Sequence, residues 1–368
     1  MLKILKCLVV ALGALASAGT LLSLSKGSHW LIRTWDFPRV QIAGAAALSG
    51  GLFRALFFRR RRGDWFFLVT NLLCVLWQSR KIHPFTPLAR VQVKPAGAGA
   101  AKERSFRLLI SNVMMENQQH ERLLALIANC EPDLVLLVET DETWRRALAP
   151  LKETFPHVVE QPQDNWYGLL LFSRLPLVDP KVEFLVQHDI PSVYTGFRLR
   201  SGEVIYLHGL HPRPPEPIRD QDSTPRDAEL VVVGRAIREV GQRPTVVAGD
   251  LNDVAWSPTT ELFVRLSGLL DPRVGRGFYN SFHADRVLVR YPLDHVFHSN
   301  HFKLMDLRRL SHIGSDHFPV FIELCYEPAA QADQPRPTAD ASDQRDADEK
   351  LVKQAEAART GDDRPSGE

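Results

Sequence analysis

Polar side chains follow several apolar segments of this sequence, at the points where predicted strands end. In residues 245–252 a short apolar run leads to Asp250, and Asn252 follows two residues later. The run indicates a strand covered on both faces, and the two-residue period of a strand would direct both side chains to the same side. A carboxylate beside a carboxamide places a base next to a neutral donor, which suits activation of water against a phosphate. A plain strand-to-turn junction explains the same residues.

Other predicted strand ends carry similar residues. Each of them alone has an ordinary structural explanation, such as a turn or a helix cap. Their joint occurrence at one type of position predicts a rigid site at a sheet edge. These strand ends supply Asn112, Glu139, His211, Asp294 and His295, and a later loop supplies Gly314, Ser315, Asp316 and His317.

The acids and histidines of this inventory suit metal-assisted attack of water on phosphorus. Glu139 is an oxygen ligand of the kind that Mg²⁺ or Mn²⁺ prefers. A carboxylate near an imidazole sets its tautomer and stabilises its charged form. Because adjacent side chains of a strand point apart, either the loop turns at Asp316 or Asp316 pairs with a histidine other than His317. The many histidines could suggest zinc, but no HExxH motif or close Cys/His cluster supports zinc.

Charge is unevenly distributed along the 368 residues. Residues 1–104 carry 16 Lys and Arg against 3 Asp and Glu, whereas residues 105–326 carry 23 against 29. A domain that binds nucleic acid through many phosphates normally has a basic excess, and the central region has none overall. A local basic patch within this region is still compatible with the overall charge. The four cysteines show no metal-binding spacing, and the sequence is compatible with a disulfide between Cys130 and Cys325.

The N-terminal region is predicted to lie in a membrane. Residues 1–25 are almost continuously apolar or small, and two further apolar runs follow at about 37–58 and 65–77. Three spans would make residues 1–80 membrane-anchoring helices in contact with the lipid bilayer. The four arginines at 59–62 should stay cytoplasmic, which would place the chain after about residue 80 on the outer side. A signal peptide for the first run and a buried helical bundle for all three are the alternatives.

The rest of the chain divides into three parts. Residues 81–104, rich in Pro, Gly and Ala, are predicted to be a linker. Residues 105–326 alternate strand and helix patterns, beginning with a strand at 106–113, a helix at 119–129 and a strand at 134–138. This alternation predicts an α/β domain. Residues 327–368 contain few large apolar side chains and are predicted to be disordered.

Seven short motifs follow one another through the central region. They are residues 111–113 (SNV), 132–139 (PDLVLLVE), 167–168 (YG) with 172–174 (FSR), 211–212 (HP), 249–252 (GDLN), 293–295 (LDH) and 314–319 (GSDHFP). In this order they resemble the endonuclease/exonuclease/phosphatase superfamily, which has the deoxyribonuclease I-like fold. The resemblance covers nearly all of residues 105–326.

The resemblance implies an α/β fold of four layers, with two mixed β-sheets inside and helices outside. It also implies that Glu139 holds a divalent metal, Mg²⁺ or Mn²⁺, with Asn112 nearby. The apolar N-terminal region is similar to that of bacterial membrane-bound members. That similarity implies a multi-pass protein of the bacterial inner membrane, with the catalytic domain on the extracytoplasmic side.

The catalytic roles are likewise implied by the resemblance. Asp250 would orient or deprotonate the attacking water. Asp294 and Asp316 would support or polarise histidine. His317 would contact the scissile phosphate as general acid or electrostatic stabiliser.

The same resemblance implies that Asn252 and His211 bind the phosphate and stabilise its developing charge. His208 lies near the same strand end as His211, and the neighbouring Pro212 favours His211. At Met114 the sequence departs from the repair endonucleases of the superfamily, which often carry a further metal-binding acid there.

The predicted function is therefore phosphodiester hydrolysis of the endonuclease/exonuclease type, with DNA as a candidate substrate. A phosphodiesterase or phosphatase acting on a lipid or small phosphoester is the alternative, and a non-catalytic binding module is a third. Arg213, Arg219 and Arg226 near the His211 loop either contact substrate or are solvated surface charges. The motifs do not indicate an oligomeric state.

Overall fold

The structure, a computed structural model, describes residues 1–97, 99–217 and 221–360. The chain forms two compact units, one made of Met1–Arg90 with Pro215–Ser223 and the other of Val91–Pro214 with Thr224–Glu368. The first unit is helical, and the second carries the sheets and all the predicted site residues. The second unit thus extends beyond the predicted domain of residues 105–326 at both ends.

Four helices make up most of the first unit: α1 (Leu2–Leu22), α2 (Trp30–Arg33), α3 (Arg39–Leu56) and α4 (Arg62–Ile82). The three long ones coincide with the three apolar runs. Within the described residues only α1 is both long and apolar enough to cross a membrane, and a signal sequence near the N-terminus would have the same properties. Charged residues such as Asp64, Arg80 and Lys81 in α4 dilute its apolar character. The helices therefore give no support for three spans.

The second unit is built from eleven strands of the described chain. In chain order they are β1 (Ser105–Asn112), β2 (Leu134–Val138), β3 (His157–Gln161), β4 (Leu169–Ser173), β5 (Leu177–Glu183), β6 (Ser192–Arg198), β7 (Val204–Leu210), β8 (Thr245–Asp250), β9 (Asp294–His298), β10 (Phe302–Arg309) and β11 (Val320–Tyr326). One sheet has the order β10-β11-β1-β2-β4-β3 and the other β5-β6-β7-β8-β9. Both are mixed, because β1–β2 and β7–β8 are parallel and their neighbours antiparallel.

Alternate residues of the central strands enter two different cores. From β1, Leu108 and Ile110 lie in a cluster shared with Leu207 and Val246 of the other sheet, so this core fills the space between the sheets. Leu109 belongs to a second cluster, which packs against helix α5 (His120–Cys130). Helices α6 (Glu142–Ala147), α7 (Thr224–Glu239) and α8 (Pro258–Ser267) complete the outer layers. The predicted α/β fold with two mixed sheets between helices is confirmed.

Residues 91–96, predicted to be part of a linker, pack along β10 instead. Leu304 donates a backbone hydrogen bond to the Lys94 carbonyl at 3.0 Å and accepts one from Ala96 at 2.8 Å. Val93 is fully buried in the core between the sheets. These backbone groups and one apolar side chain cover the edge strand β10, which otherwise presents unpaired N–H and C=O groups.

The predicted disordered tail is wrong for residues 341–360, which form helix α9 (Ala341–Thr360). Ala347 and Leu351 pack into a small cluster with α7 and α8. Ion pairs also hold the helix, including Arg265 with Asp343 at 2.9 Å. Residues 361–368 lie outside the described residues. The Cys130–Cys325 disulfide is absent too, since all four cysteines of the chain, each in the described part, are free thiols.

Candidate active site

Strand ends bring the predicted residues to one edge of the sandwich. Asn112 is the last residue of β1, Glu139 follows β2, His211 follows β7, and Asp250 ends β8. Strands β9 and β11 run antiparallel to β8 and β1. The start of β9 at Asp294 and the loop before β11 therefore reach the same edge.

Asn112 connects two carboxylates. Its Nδ2 donates to Glu139 Oε1 at 2.7 Å and to Asp250 Oδ2 at 3.0 Å. Its Oδ1 accepts a hydrogen bond from the backbone N–H of Met114 at 3.0 Å. An amide has two donor hydrogens, and here each serves one acid, so Asn112 fixes the spacing of Glu139 and Asp250.

His317 lies against two further carboxylate oxygens. Its Nδ1 is 2.7 Å from Asp294 Oδ2, and its Nε2 is 3.6 Å from Asp250 Oδ2. Burial lowers the pKa of His317, but Asp294 and Asp250 raise it by more, so that the pKa is about 10. Burial also raises the pKa of Asp250, and the charge on His317 opposes that shift. At neutral pH the ring is therefore an imidazolium that donates to Asp294.

The loop before β11 is tied to β1 through Ser315. Its hydroxyl donates to the Asn112 carbonyl and accepts from the His317 backbone N–H, each at 2.9 Å. Asp316 accepts a backbone hydrogen bond from Ala284 at 2.7 Å. The histidine partner is thus Asp294, and Asp316 acts on His317 only through its charge.

His211 joins the site, and His208 does not. His211 Nε2 lies 4.0 Å from Glu139 Oε1 and 3.9 Å from Asp250 Oδ2, and the ring packs against Tyr167 at a centroid distance of 5.3 Å. Burial lowers the pKa of His211 to about 3, so the ring is neutral. His208 instead packs against a tyrosine of β6.

Asn252 adopts a left-handed backbone conformation with φ of +50°. Since β8 ends at Asp250, the two-residue alternation does not extend to Asn252. The Asn252 backbone N–H donates to Asp250 Oδ1 at 2.9 Å, and its Nδ2 donates to the Pro212 carbonyl at 3.0 Å. Asn252 thereby links the loop after β8 to the loop that carries His211.

Two arginines near the site are buried, so the prediction of solvated surface charges is wrong for them. Arg213 pairs with Asp189 at 2.8 Å and lies over the Tyr167 ring at 5.6 Å. Arg226 Nη1 donates to the Asn252 carbonyl at 2.8 Å. Arg219 lies outside the described residues. An arginine in a loop or first helical turn has no sequence signal that separates these buried roles from a surface position.

Negative charge exceeds positive charge among the predicted site residues. Four are carboxylates, namely Glu139, Asp250, Asp294 and Asp316, and only His317 is cationic. Glu139 is 21% exposed whereas Asp250 is 1% exposed, and burial raises the pKa of Glu139 to about 7. Oxygen donors with excess negative charge and one ligand open to solvent fit a hydrated divalent cation such as Mg²⁺. Asp250, Asp294 and His317 also offer ligand atoms within 4.8 Å of one another, but the Asp294–His317 hydrogen bond already engages two of them.

Residues 110–317, more than half of the chain, match the sequence profile of the Endonuclease/Exonuclease/phosphatase family. The chain belongs to this family. Members of the endonuclease/exonuclease/phosphatase family hydrolyse phosphoester bonds, and every strand-end residue described above lies within the matched range. No curated protein sequence matches the chain.

Several solved structures are similar to this family member. D. rerio TDP2 complexed with single strand DNA product has a TM-score of 0.50 and 16% identity, covering 60% of this chain and 98% of that one. The endonuclease/exonuclease/phosphatase from Beutenbergia cavernae DSM 12333 has a TM-score of 0.49 and 16% identity, covering 61% and 72%. The human Nocturnin catalytic domain with bound sulfate has a TM-score of 0.49 and 16% identity, covering 62% and 96%.

Proposed function

We propose that this protein is a membrane-anchored, metal-dependent phosphodiester hydrolase of the endonuclease/exonuclease type. The observation that carries the proposal is the position of Asp250. Its Oδ2 lies between the Asn112 amide, at 3.0 Å, and the protonated His317 ring, at 3.6 Å. A fixed carboxylate beside a fixed imidazolium supplies a base and an acid at one point.

Each residue of the site has a separate role in the proposed hydrolysis. Asp250 accepts a proton from water as the water oxygen attacks phosphorus, and its raised pKa brings it closer to a useful base at neutral pH. The bond from phosphorus to the leaving oxygen breaks, and His317 donates a proton to that oxygen. Asn252 and the neutral His211 hold the phosphate oxygens. Asp294 holds His317 in its orientation through the 2.7 Å hydrogen bond.

Glu139 is the residue we propose as the direct ligand of Mg²⁺ or Mn²⁺. Asn112 orients the Glu139 carboxylate by its 2.7 Å hydrogen bond, and its own oxygen already accepts from the Met114 backbone. When bound, the cation supplies positive charge that offsets the negative charge of the phosphate in the transition state.

Nucleic acid is the first substrate class to test. The TDP2 structure holds a single strand DNA product, and the motifs that build the site do not distinguish DNA from other phosphodiesters. A lipid or small phosphoester is the second candidate, because residues 105–326 carry 23 basic against 29 acidic residues, which is not the basic excess of a DNA-binding surface.

We also infer that α1 anchors the protein in a bacterial inner membrane and that the second unit lies outside the cytoplasm. With α1 as the span, Lys3 and Lys6 at its N-terminal end support this orientation, since basic residues beside a span remain cytoplasmic and the chain after α1 would then lie outside. A phosphatase reporter fused to the C-terminus, active only outside the cytoplasm, should be active. An inactive fusion that is present at normal abundance would contradict the orientation.

The substrate is decided by a panel of phosphoesters. The full-length protein in detergent micelles with Mg²⁺ is offered single- and double-stranded DNA, phospholipid head-group diesters and bis(p-nitrophenyl) phosphate, beside an Asp250→Asn control. We expect DNA cleavage that the control lacks. Turnover of lipid diesters alone would replace the nuclease assignment with the lipid one. Inactivity toward every substrate by a folded, Mg²⁺-binding protein would favour a binding module.

A further inference from the structure

One lysine of helix α9 contacts residues at the starts of α7 and α8. Lys350 Nζ lies 2.5 Å from Asp227 Oδ2 and donates to Thr259 Oγ1 at 3.3 Å. Asp227 sits in the first turn of α7 and is nearly fully buried. The composition of residues 327–368 gave no indication of such a contact.

Asp227 also binds Arg226, the residue that precedes it. Its second oxygen, Oδ1, accepts from Arg226 Nη2 at 2.9 Å and from Nε at 3.2 Å. Burial raises the pKa of Asp227, but Lys350 and Arg226 lower it by more, which holds it well below its usual range. The carboxylate is therefore an anion shared between two cations, one on α9 and one at the start of α7.

A further donor of Arg226, its Nη1, contacts the active-site loop that follows β8. Arg226 is 1% exposed, and its Nη1 donates to the Asn252 carbonyl at 2.8 Å and lies 3.5 Å from Asp253 Oδ1. A non-glycine residue in the left-handed region, such as Asn252 at φ +50°, is strained by about 1 kcal/mol and persists where surrounding groups hold it. The hydrogen bond from Arg226 stabilises this backbone conformation of Asn252.

We propose that Lys350, Asp227 and Arg226 are positioning residues for Asn252, so that helix α9 sets the geometry of the active-site loop. The kinetic consequence rests on the proposed function, because it takes Asn252 to be a phosphate-binding residue. The structural consequence, an Asn252 loop that α9 holds in place, does not rest on it.

The chain offers a matched control two residues away. Asp348 of α9 pairs with Arg235 of α7 at 2.7 Å, and Asp348 is 65% exposed. Asp348→Asn removes an ion pair between the same two helices without touching Asp227 or Arg226. Lys350→Met removes the lysine charge and keeps a long side chain, and Lys350→Arg keeps the charge.

Hydrogen–deuterium exchange of residues 250–254 in the full-length protein tests the structural consequence. We expect Lys350→Met to increase their exchange rate about 10-fold, because the loop opens more often when its hold weakens. Lys350→Arg and Asp348→Asn should exchange as the wild type does. Wild-type exchange in Lys350→Met, or an increase confined to α9 and α7, would overturn the proposal.

Kinetics on the substrate found in the panel test the catalytic consequence. We expect Lys350→Met to lower kcat about 10-fold with KM within about 2-fold, since small misplacement of a site residue costs rate. In an Asn252→Ala background the same substitution should cause no further loss. An equal loss in both backgrounds would refute action through Asn252. If the wild type hydrolyses nothing, the proposed function fails, and the exchange experiment alone still decides the positioning role.

Discussion

Replacing Asp294 by asparagine isolates the pairing that keeps His317 charged. Asn keeps the shape of the side chain and removes its negative charge. In the wild type Asp294 Oδ2 is 2.7 Å from His317 Nδ1, and Asp250 at 3.6 Å contributes the second acidic contact. The substitution therefore removes the strongest of the three carboxylate influences, those of Asp294, Asp250 and Asp316, that oppose the effect of burial.

The magnitude follows from the distance. Both charges are spread over their groups, the imidazolium ring and the carboxylate, so their effective separation is about 4 Å; at an effective dielectric constant of about 20 the pair contributes about 4 kcal/mol, which corresponds to about 3 pKa units. The pKa of His317, about 10 in the wild type, should fall to about 7 in the variant. At pH 8 only about one ring in ten would then carry the proton, whereas at pH 6 most rings would.

The assay is the pH profile of kcat/KM. We expect Asp294→Asn to lose about 100-fold at pH 8 and about 10-fold at pH 6, because orientation is lost at both pH values and protonation only at the higher one. Asp316→Asn removes the same charge from the neighbouring residue without breaking the hydrogen bond, and should lose less than about 5-fold. A profile for Asp294→Asn that is parallel to the wild type, or a larger loss in Asp316→Asn, would refute the assignment.

Three further substitutions test other parts of the structure. Glu139→Gln should weaken Mg²⁺ binding at least about 10-fold in calorimetric titrations, and an unchanged Kd would exclude Glu139 as a ligand. Glu229, buried on α7, has its pKa raised by burial to about 8, so the stability it contributes is complete below its unfolded pKa of about 4.5 and is lost as pH rises toward 8. Between pH 5 and pH 7 this loss of stability should be about 2.5 kcal/mol in the wild type and absent in Glu229→Gln, and equal pH slopes in both proteins would contradict that value. Gly168→Ala would place its Cβ 1.8 Å from the Thr140 carbonyl oxygen and 2.5 Å from the Gln163 nitrogen. The backbone shift that this forces should lower the free energy of unfolding by about 2 kcal/mol or more, measured by thermal unfolding. An unchanged Tm would mean that the backbone at this strand end moves without cost.

The sequence predicted the buried part of the fold because apolar runs mark strands covered on both faces. The strand at residues 134–138 was predicted with the boundaries that the structure gives to β2. Strand β10 was missed, since its charged, half-exposed residues at the sheet edge lack that pattern. Helix α9 was missed for a related reason: ion pairs such as Arg265–Asp343 hold it, and composition does not show them.

The candidate site was predictable in its membership but not in its pairings. Strand ends marked Asn112, Asp250 and His317, and the structure brings them together. The acid that pairs with His317 could not be read from the chain, because Asp316 is adjacent in sequence whereas Asp294 arrives from another strand. Which of two acids meets a ring depends on strand register and loop conformation, and neither is encoded in a local motif.

Metal-dependent hydrolysis at this site is tested most directly with bis(p-nitrophenyl) phosphate, or with the best substrate in the panel, as substrate of the full-length protein and of His317→Ala. Each protein is assayed with Mg²⁺, after chelation of the metal, and after Mg²⁺ is restored. We expect wild-type turnover that disappears on chelation and returns with Mg²⁺, and a loss of at least about 100-fold in a folded His317→Ala protein. Turnover that survives chelation, or that His317→Ala retains, would contradict metal-dependent hydrolysis at this site.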